Sequence, residues 1–127
     1  MPHMSRPEFS CRVQVQYLPE QSRPPDGPFA YAYTVTIVNS GNVTAQLVAR
    51  QWLVSDAAGN TEEVRGLAVV GQQPVLKPGQ QFEYTSWTRI DTPQGTMRGK
   101  FLCMTEDARP FDASVPEFLL ARPEALH

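Results

Sequence analysis

The chain has 127 residues, 41% of them hydrophobic, and both values are those of a single folded domain with a buried core. Its 11 basic and 13 acidic residues give a formal net charge of -2, which excludes a polybasic surface for nucleic acid or anionic lipid. Two cysteines, Cys11 and Cys103, are too few for a disulfide scaffold.

The first two predicted elements are strands. Residues 9–17 alternate between apolar and polar side chains, as in a strand with one buried face. The proline-rich segment 19–28 cannot pair in a sheet. Residues 29–39 form the second strand, and its heavier face is expected to be core and not a ligand groove. That face carries Phe29, Tyr31, Tyr33, Val35 and Ile37.

The next segments continue the pattern of strands and turns. Asn39–Asn42 is a tight turn, and residues 43–54 form a strand in which the alternation changes phase near residues 49–51. We interpret that change as a β-bulge. Residues 61–65 and 67–70 form the next strand region. Further strands are predicted over residues 80–88, 95–105 and 115–121.

About seven short strands and no helical periodicity indicate an all-β fold. Turns every ~8–12 residues are typical of a two-sheet antiparallel β-sandwich of the immunoglobulin or fibronectin type III class. One domain is expected over residues 1–127, with flexible ends at 1–8 and 122–127. The N-terminus has no apolar signal core, and no stretch approaches the ~20 apolar residues of a membrane span, so we expect a cytoplasmic protein.

The segment RGLAVVGQQP at residues 65–74 resembles an incomplete phosphate-binding loop. A dinucleotide site needs a helix after the glycines, and Pro74 disfavours one here. Because residues 67–70 are apolar and partly β-branched, we predict a buried strand flanked by Gly66 and Gly71 at bulge or close-approach positions.

Residues for catalysis are scarce. The only two histidines, His3 and His127, lie at the chain ends, so neither a Ser-His-Asp nor a Cys-His arrangement can form within the domain. Both cysteines fall on core-facing phases of their strands and are expected to be small buried hydrophobes, with redox sensing as the alternative. We therefore predict no enzyme activity and no cofactor.

Two kinds of binding residue remain. The loop carboxylates of residues 62–63, 106–107 and 112 are expected to be solvated and to form no metal site. Arg50, Trp52 and Arg65 lie on adjacent strand segments and could form an exposed patch for an anion or peptide; the alternative is that Trp52 is a core residue with Arg50 at its edge.

The chain resembles the ApaG family. The matching stretches are FAYAYTVTI at 29–37, QL at 46–47, RQW at 50–52, EVRG at 63–66, VVGQQP at 69–74, KPG at 77–79, YTS at 84–86, TPQGTMRG at 92–99 and VPEFLL at 115–120. Two positions depart from the family pattern: Ala68 replaces a glycine, and Trp87 stands where a small residue is common. An aromatic residue at 87 is expected to be exposed at a loop as a variable contact surface.

The resemblance implies a fibronectin type III-like sandwich that acts as an interaction domain, as in certain F-box and polymerase-interacting proteins. It also implies an association with diadenosine tetraphosphate hydrolysis and with magnesium and cobalt tolerance. We therefore expect a protein-binding module. The alternative is a sensor of pyrophosphate-containing compounds or divalent cations. Neither nucleic acid nor a membrane is an expected partner. The residues predicted for ligand or partner contact are Arg50, Trp52, Arg65, Gly66, Gly71 and Trp87.

Overall fold

The computed structural model describes residues 4–122 and consists of strands joined by turns. Among these residues the only helical element is a single 3₁₀ turn, Pro19–Gln21, and no helix is long and apolar enough to cross a membrane. The strands are β1 (Phe9–Tyr17), β2 (Phe29–Asn39), β3 (Ala45–Asp56), β4 (Thr61–Leu67), β5 (Val75–Leu76), β6 (Gln81–Ile90), β7 (Gly95–Thr105) and β8 (Pro110–Leu120).

The strands form two antiparallel sheets that pack face to face. Sheet A has the order β1-β2-β6, and sheet B has the order β4-β3-β7-β8 with the short β5 also paired to β3. The predicted all-β, immunoglobulin-like sandwich is thus confirmed. The strand that was not predicted, β5, has only two residues, which lie inside the expected loop of residues 74–79.

The core lies between the sheets and centres on Trp52, which is 1% exposed. Its ring packs edge-on against Phe101 and Phe118 of sheet B, with centroids 5.7 and 6.1 Å away. Tyr33 of sheet A reaches it from the opposite side, at 5.7 Å. The heavy face of β2 is therefore core, as predicted.

A β-bulge changes the alternation of β3. The register with β7 shifts between Leu47 and Ala49, so Val48 is the extra residue, one position before the predicted window. Leu47 before the bulge and Trp52 after it both point into the core, although their sequence parities differ.

Residues 67–70 do not form the buried strand that was predicted. Strand β4 ends at Leu67, whose side chain is 76% exposed. Ala68 and Val70 have positive φ angles of 66° and 44°, which no strand contains. Of the four residues only Val69 is fully buried. Apolar composition suggested a strand here, but the backbone turns instead.

The described part of the N-terminal segment is attached to the turn between β2 and β3. The Arg6 amide donates to Asn42 Oδ1 at 2.6 Å, and the Glu8 carbonyl accepts from the amides of Ser40 and Gly41. The predicted flexible ends fall partly on residues 1–3 and 123–127, which lie outside the described residues. The flexibility of the ends stays a prediction.

Candidate functional site

Arg50 lies on the inward face of β3, where its side chain reaches the backbone that follows β4. Its Nη1 donates to the carbonyl oxygens of Leu67 at 3.2 Å and Ala68 at 2.8 Å. Charged donors make strong hydrogen bonds of this kind. Arg50 therefore holds the turn after β4 through its Nη1 atom.

Gly66 lies beneath the Arg50 side chain. A Cβ atom built at Gly66 would come within 2.7 Å of Arg50 Nη1, closer than real contacts allow. The absence of a side chain at residue 66 therefore makes room for the guanidinium. The prediction that Gly66 is a close-approach position is confirmed, and the approaching group is an arginine of the same chain.

Gly71 belongs to a tight hairpin turn, and the prediction of a bulge or close-approach position is wrong there, because a Cβ atom built at residue 71 would meet nothing within 4 Å beyond its chain neighbours. The amide of Val69 donates to the Gln72 carbonyl at 2.7 Å, and the amide of Gln72 donates back to the Val69 carbonyl at 2.9 Å. Positive φ at both central residues, 44° at Val70 and 80° at Gly71, makes this a type I′ turn. No helix follows it, so the segment lacks the helix N-terminus that a phosphate loop presents to its ligand.

The bulge of β3 anchors this turn, which we call the 68–72 hairpin. The Val48 carbonyl accepts hydrogen bonds from the Ala68 amide at 2.8 Å and from Gln73 Nε2 at 3.0 Å. Gln46 Nε2 in turn donates to the Gln73 carbonyl at 3.0 Å. The hairpin is therefore a fixed part of the surface of sheet B.

Arg65 does not join Arg50 and Trp52 in a cluster. Arg65 pairs with Gln51 in the ladder and points to the outer face of sheet B, whereas Arg50 and Trp52 point inward. Arg65 forms an ion pair with Glu63, and that hydrogen bond, with a second one from Gln51, lowers the pKa of the Glu63 carboxyl. The exposed Arg-Trp-Arg patch considered from the sequence is therefore wrong, and Trp52 is the core tryptophan.

Trp87 is exposed, but it lies in the middle of β6 and not at a loop. Its side chain is 57% exposed on the outer face of sheet A, directly opposite Ala32 of β2. The Arg89 guanidinium covers one face of the indole, 5.3 Å from the ring centroid. The expectation of a loop position is wrong, because residue 87 continues the regular β2–β6 ladder.

Burial favours the neutral forms of two thiols and one phenol, those of Cys11, Cys103 and Tyr84. Burial raises the pKa of the Cys11 thiol to about 11 and that of Cys103 to about 12. Burial likewise raises the pKa of Tyr84, whose hydroxyl and the indole N–H of Trp52 are buried without a hydrogen bond of normal geometry. These thiols and this phenol are poor nucleophiles and metal ligands at neutral pH.

The predicted loop carboxylates are mostly engaged with neighbours on the surface. Asp107 pairs with Arg109 at 3.0 Å, and Asp112 pairs with Lys100 at 3.3 Å. Within residues 4–122 no three His, Cys, Asp or Glu side chains are grouped closely enough to hold a metal ion.

One surface was missed at the level of the sequence: the outer face of sheet B near the 68–72 hairpin. Ala49 of β3 lies between Leu67 and Leu102 in the ladder, and Gln46 lies between Val75 and Met104. These four apolar side chains, 37–76% exposed, therefore form one patch, which we call the apolar face: Leu67, Val75, Leu102 and Met104. Only the cross-strand register brings them together, so no local sequence pattern reveals the patch.

Comparison with known proteins agrees with this architecture. The model of the ApaG domain matches residues 19–105. The chain belongs to the ApaG family. A relative named protein ApaG from Ralstonia nicotianae is 54% identical over 124 residues, which cover 98% of this chain and 100% of that protein. The ApaG protein of Pseudomonas aeruginosa is 51% identical over 120 residues, covering 94% of this chain and 95% of that one.

A solved structure supports the same family fold. The crystal structure from Bordetella pertussis named for the protein ApaA superimposes with a TM-score of 0.89 at 47% identity, covering 92% of this chain and 95% of that chain. The fold inferred from the residues and the family inferred from the motifs are therefore both confirmed.

Proposed function

We propose that this chain is a non-enzymatic binding module that recognises another protein through the apolar face. The observation that carries this proposal is the clustering of four exposed apolar side chains on one side of sheet B. Exposed apolar patches on monomeric proteins often mark interaction sites. The apolar face thus replaces the patch around Arg50 and Trp52 as the contact surface.

The chemistry of the face defines the partner. None of its four side chains is charged, and the neighbouring carboxylate, Asp112 beside Leu102, is already paired with Lys100. A partner that presented a charge to the centre of this face would lose hydration without gaining an ion pair. We therefore expect the partner to contribute an uncharged apolar segment, with polar contacts at the rim.

The test compares two leucines of sheet B with similar exposure. Leu102 is 40% exposed within the apolar face, and Leu119 is 47% exposed near the opposite end of β7 and β8. Partners are recovered by affinity purification from the native host with the wild-type chain, Leu102→Ser and Leu119→Ser. One recovered partner is then purified and titrated against each variant.

We expect Leu102→Ser to weaken partner binding at least tenfold, because it removes a central apolar contact, which costs more than about 1.4 kcal/mol. Leu119→Ser is expected to bind as the wild type does. Both variants should remain folded, since surface substitutions change stability little. Equal affinity of the two variants for the partner would contradict the proposal that the partner binds through the apolar face.

A second candidate function is a sensor of pyrophosphate-containing compounds or divalent cations. One observation favours it: Arg98 lines an open groove of about 560 Å³ on the other half of the same face, together with Lys100, which is paired with Asp112, and the carboxylate of Glu117. Titration with diadenosine tetraphosphate, pyrophosphate, Mg²⁺ and Co²⁺, monitored by amide chemical shifts, tests it. Saturable shifts around Arg98 and Lys100 would support a sensor, and the absence of shifts would leave the protein-binding module as the function.

A further inference from the structure

We propose that the outer face of sheet A carries a binding site for neutral carbohydrate, independent of the apolar face of sheet B. The site is a groove that runs across β1, β2 and β6. It is lined by Gln14, Gln16, Ala32, Thr34 and Thr85, and Trp87 stands beside it.

The groove results from the sizes of the side chains along three strands. Within the groove, the middle strand β2 presents the small side chains of Ala32 and Thr34. The flanking positions carry longer side chains, Gln16 opposite Ala32 on β1 and Trp87 opposite Ala32 on β6. The resulting volume is about 480 Å³, which lies within the range of about 300–1,000 Å³ that small-molecule sites occupy.

The hydrogen-bonding groups of the groove share one property: each both donates and accepts. The lining contains two amides, Gln14 and Gln16, and two hydroxyls, Thr34 and Thr85, and no charged side chain. The hydroxyls are 2.8 Å apart and bonded to each other, and either of them can be the donor, so one hydroxyl proton of the pair remains for a ligand. In the described chain, neither glutamine side chain has a hydrogen-bond partner, so both amides are available to a ligand.

Groups that both donate and accept match a ligand whose own groups do the same, and sugar hydroxyls are such groups. A phosphate-bearing ligand would need a cation among the lining residues, and the groove has none; the guanidinium next to it, that of Arg89, is stacked on Trp87. An extended peptide offers separate donors and acceptors, which are normally met by a backbone edge and not by side-chain amides. The lining therefore favours a neutral polyhydroxylated ligand.

Trp87 supplies the apolar half of the recognition. Arg89 covers one face of the indole, while the side chain as a whole stays 57% exposed. An indole is a large flat surface, and weak C–H contacts to such a ring suit the apolar face of a pyranose. Its position opposite Ala32 places this platform at the end of a polar groove. A stacking ring next to uncharged hydrogen-bonding side chains is the arrangement that sugar binding requires.

The test is a titration of the ¹⁵N-labelled chain with maltose and cellobiose at millimolar concentrations, because a shallow open groove is expected to bind in that range. The resonances to follow are the indole N–H of Trp87 and the side-chain amides of Gln14 and Gln16. We expect saturable shifts at these groups with at least one of the two sugars. A proline-rich decapeptide and inorganic pyrophosphate are titrated in parallel.

Variants separate a local site from a general effect. Trp87→Ala is expected to weaken sugar binding at least tenfold, whereas Trp87→Phe keeps a ring and should retain most of it. Leu102→Ser, which alters the apolar face, should leave the sugar-induced shifts unchanged. The proposal is overturned if neither sugar produces saturable shifts at Trp87, if Trp87→Ala binds like the wild type, or if only the peptide or pyrophosphate binds.

Discussion

Val70 adopts a backbone conformation that β-branched residues avoid. Its φ is 44°, at the first central position of the type I′ turn that also contains Gly71. Asn-Gly is the preferred pair at these positions, because asparagine tolerates the left-handed region. The valine side chain is also 54% exposed, so burial does not offset the strain.

Replacing Val70 with asparagine should stabilise the protein. The left-handed conformation costs an ordinary residue about 1–2 kcal/mol, and Val70→Asn should recover about 1 kcal/mol of the free energy of unfolding. Urea denaturation monitored by tryptophan fluorescence measures the change. The matched control is Val75→Asn, at a valine that is 58% exposed but lies in the regular strand β5, where no gain is expected. A Val70→Asn protein no more stable than the wild type would contradict this account.

The two tryptophans show the limit of prediction for single residues. Trp52 and Trp87 both lie in predicted strands, but one is 1% exposed and the other 57%. Parity alone left both alternatives open at Trp52, since a strand of a sandwich has one inner and one outer face. The assignment depends on how β3 and β6 are placed in their sheets, which is a non-local property.

At the scale of elements, Arg50 connects strand β3 to the turn after β4. The guanidinium lies over Gly66 and donates to two consecutive carbonyls beyond it. This arrangement explains the first glycine of the Gly66–Gly71 window without a nucleotide. The second glycine serves the hairpin turn, where its φ of 80° is readily adopted only by glycine and a few polar residues.

The coupling between Arg50 and Gly66 can be measured with a double-mutant cycle. Gly66→Ala in the wild-type background should cost about 1 kcal/mol, because the new Cβ displaces the guanidinium from the Leu67 and Ala68 carbonyls. In an Arg50→Ala background the same change should be neutral or stabilising by about 0.5–1 kcal/mol, since alanine suits a strand better than glycine. Chemical denaturation of all four proteins gives the coupling energy. If Gly66→Ala costs the same in both backgrounds, the packing of the guanidinium on residue 66 is unimportant.

The bounds of β1 and β2 were predictable because their alternation is unbroken, and the bulge in β3 was predictable from the change in parity. Residues 67–70 were misassigned because apolar composition does not determine φ, and only a turn-specific residue such as asparagine would have signalled the hairpin. The apolar face was not predictable, since Leu67 and Leu102 are 35 positions apart in the sequence and become neighbours only through Ala49.

At the scale of the whole molecule, the reactivity of the two thiols depends on the packing of the two sheets against each other. Cys11 belongs to sheet A and Cys103 to sheet B, and both pack with the core between the sheets. Burial is the principal cause of their raised pKa values, about 11 and about 12. Burial in the closed sandwich therefore disfavours the thiolate form of both cysteines, of which Cys11 is partly and Cys103 fully buried.

Alkylation by iodoacetamide at pH 8 should therefore be at least about 100-fold slower in the native protein than in urea, because the thiolate is the reactive form. The folded pKa of Cys11 is raised above its reference value of 9.0, so its contribution to stability is present below pH 9 and is lost as the pH rises towards 11. The free energy of unfolding should fall over that interval. Mass spectrometry of the alkylated chain checks the rate, with Cys11→Ser and Cys103→Ser identifying each thiol. Rapid alkylation of the folded chain at either cysteine would show that the thiol is not sequestered.

The overall architecture followed from the sequence because sandwich strands are short, alternating and separated by prolines and glycines. The two surfaces proposed for binding did not, since each depends on side chains from three strands. The groove of sheet A requires β1, β2 and β6 in register, and the apolar face requires β3 between its other strands. Local sequence patterns predict where the strands are, whereas the pairing of strands in each sheet determines which side chains become neighbours on the surface.

The extra residue of the β3 bulge, Val48, contributes to the position of the 68–72 hairpin and not to the packing of the core. A chain shortened by this one residue would alternate evenly from Ala45 to Val54 and would still direct Leu47 and Trp52 inward. It would, however, lose the carbonyl that receives the Ala68 amide and the Gln73 side chain. The additional residue in β3 therefore supplies the carbonyl that fixes the 68–72 hairpin. A change in the length of β3 would alter the surface of sheet B beside this hairpin and would leave the inward-facing side chains of β3 in place.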